Sequence, residues 1–343
     1  MKALRKTSVA SGLELTEIDT PTIGDDEILI KTTRCSICGT DIHIYDWEVP
    51  WNTKITPPHT IGHEGCGEIV EVGKDVDNVV EGDFVSCESH LHCDNCYMCK
   101  NGKKHLCENM RGLGMGGADG TYAEYIKIPG RSVWKNDKSL DPEVATLLEP
   151  FGNAVYTVDE GHVEGKNVLV LGCGPIGIMA VGAAKAMGAE KVIGVSGRQI
   201  HLDMAKQMGA DVCINRHDED VEKRAKEETD GRGPDVVLEM SGAPAAIEQS
   251  LRVVAKTGRV VYLGLPSKPV TINWASDFVL KDLSLKGIYG RKLFDSWETT
   301  HELVGGGKID LKPLVTHRYK LEEFEKGFEA MKTGDVGKVV FTP

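Results

Sequence analysis

Four cysteines crowd fifteen residues of this chain: Cys93, Cys96, Cys99 and Cys107, in CDNCYMCKNGKKHLC. The C-x2-C-x2-C-x7-C spacing lets one short loop wrap four sulfurs around a single ion. Tetrahedral Zn²⁺ held by four thiolates has no open position, so such a site builds structure and does no chemistry. A ferredoxin run would close with C-x3-C-P, which this loop lacks, and disulfides need an oxidising compartment. A second group of metal-binding types lies upstream: Cys38 in CSICGTDIH, and His63 with Glu64 in GHEGCGEIVEVGKDV. Three protein ligands would leave zinc a fourth position for water or substrate, where it acts as a Lewis acid.

The third constellation binds phosphate. Gly172-x-Gly174-x-x-Gly177 follows a strand-like NVLVL and opens a helix-like PIGIMAVGAAKAMGA, the context a dinucleotide fingerprint requires. The first glycine permits the tight turn, the second lets the pyrophosphate approach, and the third packs helix on strand. Pro175 costs no hydrogen bond at the helix start, and the phosphate charge meets the positive end of the helix dipole. About 20 residues on, an acidic side chain normally accepts the ribose hydroxyls of NAD. Here the chain reads VIGVSGRQIH, with Ser196 at that place and Arg198 after it. No carboxylate repels a 2′-phosphate, and Arg198 offers a forked cation for one, which favours NADP over NAD. Ile176, His201, Leu263, Leu265, Ile288 and Tyr289 complete the candidate cofactor contacts.

These groups need two kinds of scaffold. With 343 residues the chain predicts two domains. The first 150 residues carry short β-like runs such as EILIKTTR, GEIVEVG, DFVSC and YAEYIKIPG. From Asn167 apolar strands alternate with helical segments, which predicts a parallel sheet covered on both faces. The last fifty residues hold helix-like stretches and a terminal strand, GKVVFTP. A net charge of −12 argues against a nucleic-acid partner. The N-terminus lacks the apolar core of a signal peptide, and glycines, a proline and Lys185 argue against a membrane span at 168–189. Ten cysteines with no export signal fit a reducing cytoplasm. Cys35, Cys66, Cys87, Cys173 and Cys213 read as buried small hydrophobes. Trp47, Trp51 and Trp297 are candidates for pocket lining or packing.

Gly62-His63-Glu64-x2-Gly67-x5-Gly73-x2-Val76, the cysteine loop and the fingerprint glycines, in that order, resemble the zinc-containing medium-chain alcohol dehydrogenases over essentially the whole chain. The resemblance implies an α/β protein. A GroES-like β-rich catalytic domain, 1–152 and 292–343, would be interrupted by a Rossmann doubly wound domain, 153–291. It further implies that Cys38, His63 and Glu64 hold a catalytic zinc, making two zinc ions per chain. Glu149, in LLEPFGNAVYT, matches the position that supplies a further ligand or exchanges with water. CGTDIHIYDW, EPFGNAV, LEMSGAP and KGIYGRKLFDSWETT resemble the L-threonine 3-dehydrogenase branch. Within that branch Thr40 and His43 correspond to a proton relay through a cofactor ribose hydroxyl, and the product would be 2-amino-3-ketobutyrate. The Ser196-Gly197-Arg198 stretch departs from the branch, whose members use NAD and carry an acid there. A homotetramer is also implied. A polyol, sugar or simple secondary alcohol is the alternative substrate. A non-catalytic dinucleotide sensor would predict loss of Cys38 or His63, and both are present.

Overall fold

The computed structural model describes all 343 residues, the side chain of Trp51 excepted, so the expectation for that residue lies outside the described residues. The chain divides into two compact units, Met1–Glu149 with Val315–Pro343, and Pro150–Leu314. Residues 292–314, including the helix Asp295–Gly305, group with the second unit, and the return to the first begins at Val315. No helix among the described residues is long and apolar enough to cross a membrane.

In the first unit, the long strand Glu27–Ser36 is the organising element. Ile28, Leu29, Ile30, Cys35 and Ser36 are buried along it, with bulges between Leu29 and Ile30 and between Thr32 and Arg34. It pairs antiparallel with Glu64–Val72, Tyr125–Pro129 and the C-terminal strand Lys338–Thr342. The register sets Ser36 opposite Glu64 on one side and opposite Val340 on the other. Three segments distant in sequence therefore meet where the strand ends, immediately before Cys38. Phe324 and Phe328 of the helix Phe324–Thr333 join Ile37, Ile44, Tyr122 and Phe341 in one core. Trp47 packs against that core beneath the Lys6 ammonium, 4.8 Å from its ring centroid.

The second unit is a six-stranded parallel sheet. Asn167–Leu171 lies centrally, flanked by Lys191–Ser196 and then Val212–Asn215 on one side. Val236–Glu239, Arg259–Tyr262 and Ser284–Gly287 follow on the other. Strand order thus reverses at Asn167–Leu171, and ligands of open α/β sheets bind beyond the strand ends at such a switch point. The central strands are nearly all apolar because helices such as Pro175–Ala186 cover them, whereas the edge strand Ser284–Gly287 is largely exposed. Trp297 is fully buried and serves packing.

Candidate active site and metal centres

Cys38 caps the short helix Gly39–Tyr45, and its N–H donates to Asp41 Oδ2 at 2.9 Å. Asp41 is fully buried; the Tyr122 hydroxyl donates to the same oxygen at 2.7 Å. Asp41 Oδ1 lies 3.4 Å from His63 Nδ1, which directs the imidazole from behind. His63 is brought in by Gly62, whose φ of +92° favours glycine. A Cβ on Gly62 would lie 2.4 Å from the Tyr122 ring. Glu64 opens the next strand. Its Oε2 accepts from Lys338 Nζ at 2.5 Å and from the Ser36 hydroxyl, while its buried Oε1 has no hydrogen-bond partner. One ligand atom each from Cys38, His63 and Glu64 lies within 4.8 Å of the other two. A thiol, an imidazole and an unpartnered carboxylate oxygen converging in this way fit a zinc ion with three protein ligands.

Negative charge gathers around that donor set. Burial disfavours the charged form of His63, but Asp41 and Cys38 outweigh it and hold its pKa well above the usual value. Burial pushes the Glu64 carboxyl up, Lys338 pulls it back, and the charge of Glu149 adds to the push. Glu149 is buried near the start of the helix Leu148–Asp159, where the Ser89 hydroxyl donates to its Oε1 at 2.6 Å. It stands outside the three-ligand cluster. Thr40 and His43 lie three residues apart on the helix after Cys38, hence on neighbouring positions of its surface. His43 is exposed and its Nδ1 is 2.6 Å from Glu48 Oε2.

The four-cysteine loop also closes as the spacing requires, with all four sulfurs within 4.8 Å of one another. Backbone N–H groups of Cys93, Asn95, Glu108 and Asn109 point at its sulfurs, at 3.3–3.4 Å. Donors aimed at sulfur favour thiolate, and those from Asn95, Asn109 and Cys96 bring the Cys93 pKa down to about 6. Burial pushes Cys99 of the same loop up to about 12, as it does Cys66 and Cys173 elsewhere. Cys35, Cys66, Cys87 and Cys173 are fully buried, whereas Cys213 is only partly so.

In the second unit a cleft of about 650 Å³ brings together Gly172, Gly174, Ser196, Arg198 and His201. Gly172 has φ +95°, and a Cβ there would lie 2.6 Å from the Ser241 Cβ. Ile176 and Gly177 belong to the helix behind the turn. Leu263, Leu265, Ile288 and Tyr289 follow the ends of the last two strands and do not line this cleft. Arg216 lines it, and sequence reasoning missed it. The register Ser196↔Asn215 puts Arg216 beside Gly197, where an added Cβ would lie 2.7 Å from its Nε and 2.5 Å from His217 Nε2. Counting one residue past both strand ends would have found it. The acids of the cleft have other partners: Glu219 pairs with Arg224, and Asp220 caps the helix Val221–Glu227.

Residues 24–138 match the alcohol dehydrogenase GroES-like domain, and residues 175–305 match the zinc-binding dehydrogenase family. The chain belongs to the zinc-dependent alcohol dehydrogenases. This dehydrogenase is 46% identical to L-threonine 3-dehydrogenase of Pyrococcus abyssi over 342 residues, covering 99% of this chain and 98% of the relative. It is 46% identical to the Bacillus licheniformis L-threonine 3-dehydrogenase over 343 residues, 100% of this chain and 99% of the relative. The 2R,3R-butanediol dehydrogenase structure from Bacillus subtilis superposes with a TM-score of 0.91 at 30% identity, covering 100% and 99% of the two chains. The dehydrogenase is therefore an oxidoreductase of the NAD(P)-dependent, zinc-dependent alcohol-oxidising kind.

Proposed function

We propose that this dehydrogenase oxidises the secondary hydroxyl of L-threonine to 2-amino-3-ketobutyrate. The observation that carries the reading is the full-length identity with L-threonine 3-dehydrogenases, 46% at Pyrococcus abyssi and Bacillus licheniformis. Cys38, His63 and Glu64 would hold the catalytic zinc and Cys93, Cys96, Cys99 and Cys107 a structural one, making two per chain. When bound, the catalytic zinc supplies a Lewis acid that lowers the pKa of the substrate hydroxyl. The nicotinamide, when bound, supplies the hydride acceptor.

The chain's own residues do the rest. Tyr122 fixes Asp41, whose other oxygen faces the His63 ring at 3.4 Å and favours one orientation of it. Lys338 and Ser36 occupy one oxygen of Glu64 and leave the other for the metal. The Thr40 hydroxyl would accept the substrate proton while passing on its own, and the exposed imidazole of His43, with Glu48 as its charged neighbour, would deliver the relayed proton to solvent. Glu149, tethered by Ser89, is placed as an exchangeable ligand whose negative charge is felt at Glu64. Arg198 and Arg216, with no acid at Ser196, favour NADP. The family resemblance supports a homotetramer, and ten cysteines without an export signal support a cytoplasmic setting.

The butanediol dehydrogenase likeness supports the second reading, a polyol or simple secondary alcohol as substrate. The test follows reduced-cofactor absorbance with L-threonine, sorbitol and 2,3-butanediol against NAD and NADP. Turnover of threonine with either cofactor is expected. Turnover of only the diols would replace threonine as substrate.

A further inference from the structure

The strand Val236–Glu239 ends on a buried carboxylate that neither metal site uses. Glu239 has no solvent exposure and no ion-pair partner among the described residues. A buried carboxylate without an ion-pair partner is destabilising unless hydrogen bonds compensate for lost water. Here they do. Glu239 Oε1 accepts from Ser241 N at 2.9 Å, from the Ser241 hydroxyl at 2.5 Å and from Gly242 N at 3.1 Å. Its Oε2 lies 3.1 Å from the same Gly242 N. The Ser241 hydroxyl oxygen in turn accepts from Ala243 N at 3.1 Å, just before the helix Pro244–Val253.

What this carboxylate holds is the wall of the dinucleotide cleft. Ser241 and Ala243 line that cleft beside Gly172 and Gly174. Ser241 packs so closely on the fingerprint turn that a Cβ on Gly172 would meet its Cβ at 2.6 Å. On the other side, the Glu239 main-chain oxygen accepts from Leu263 N at 3.0 Å, and a Cβ on Gly264 would lie 2.7 Å from Glu239 Oε2. One residue thus ties together the turns after three neighbouring strands. Burial pushes its carboxyl up while the Ser241 and Gly242 donors bring it back.

We propose that Glu239 is a positioning residue for the dinucleotide: its carboxylate clamps Ser241 and Gly242 against the fingerprint turn, fixing the gap into which the pyrophosphate fits. A carboxylate suits the task because it only accepts, whereas a glutamine amide would turn one NH₂ toward backbone donors. The proposal rests on the cleft binding NAD(P).

The test is direct titration of the zinc-loaded enzyme with NADH and NADPH by fluorescence, for wild type, E239Q and S241A, with a thermal melt of each. E239Q should raise the dissociation constant of the preferred dinucleotide at least tenfold, and S241A at least threefold. Where E239Q folds, a value within twofold of wild type overturns the proposal, however far its melting temperature falls, because a purely structural role moves only the melt. Where E239Q does not fold, S241A decides by the same twofold limit. Wild type failing to bind either dinucleotide would overturn the cofactor reading as well, a result distinct from an unaffected variant.

Discussion

Replacing Lys338 by Met removes the ammonium that bonds directly to Glu64 while keeping most of the side-chain length. Lys338 is 3% exposed, and its Nζ lies 2.5 Å from Glu64 Oε2 and 2.8 Å from the Ile37 carbonyl oxygen. K338M would leave a fully buried carboxylate with only the Ser36 hydroxyl on that oxygen. Removing one partner of a buried pair costs about 3–5 kcal/mol, because the remaining charge loses its compensation. The first unit holds roughly 180 residues, for which each kcal/mol shifts the melting temperature by about 2–4 °C. The expected loss is therefore about 6–20 °C in that unit's unfolding transition. Calorimetry on chelator-treated wild type, K338M, E64Q and K338M/E64Q separates the pair from the metal. The double variant should recover much of the loss, since no unpaired charge remains. A K338M shift below about 3 °C would refute the reasoning, as it would put the pair in the range of exposed ion pairs. A double variant no better than K338M would do the same.

R198A and R216A should each raise the KM for NADP by roughly tenfold, the equivalent of one charge-assisted contact of about 1.5 kcal/mol, with NAD nearly unaffected. Equal effects on both cofactors would exclude a 2′-phosphate contact. Metal analysis should return two zinc ions per chain. C38S should keep one and lose turnover with little change in the melt, while C96S should lose the other and melt earlier. Burial holds the His59 imidazole below its ordinary pKa, against the pull of Asp119 3.4 Å away. The unfolded chain therefore takes up a proton below about pH 6.5 that folded His59 refuses, and stability falls as pH drops through that window. H59Q should flatten that acid limb in melts run from pH 7 to lower pH; an unchanged slope would show that His59 is protonated in the fold.

The four loop cysteines were legible as candidate metal ligands from residue type and short spacing, whereas Cys38, His63 and Glu64 were singled out mainly by the family resemblance. Cys93 to Cys107 close on themselves within one loop, so no distant segment is needed to bring the sulfurs together. The fingerprint turn is equally local: strand, Gly172, Gly174 and helix start are contiguous. The alternating texture after Asn167 likewise yields the parallel sheet, since covered strands must be apolar on both faces. Less legible were the limits of the units, because the helix Asp295–Gly305 has an ordinary amphipathic pattern that fits either one.

Residue type and spacing in the chain alone determined which side chains could ligate metal and where a dinucleotide phosphate could sit. Only the tertiary structure decided what surrounds them. Lys338 reaches Glu64 across 274 residues because two strands flank Glu27–Ser36 in a fixed register. Arg216 faces Gly197 because adjacent parallel strands end together. Glu239 gathers the turns of neighbouring strands for the same reason. Local patterns in a sequence report what a residue does with its near neighbours. Strand register, set by the burial of whole faces, decides which distant charge meets it.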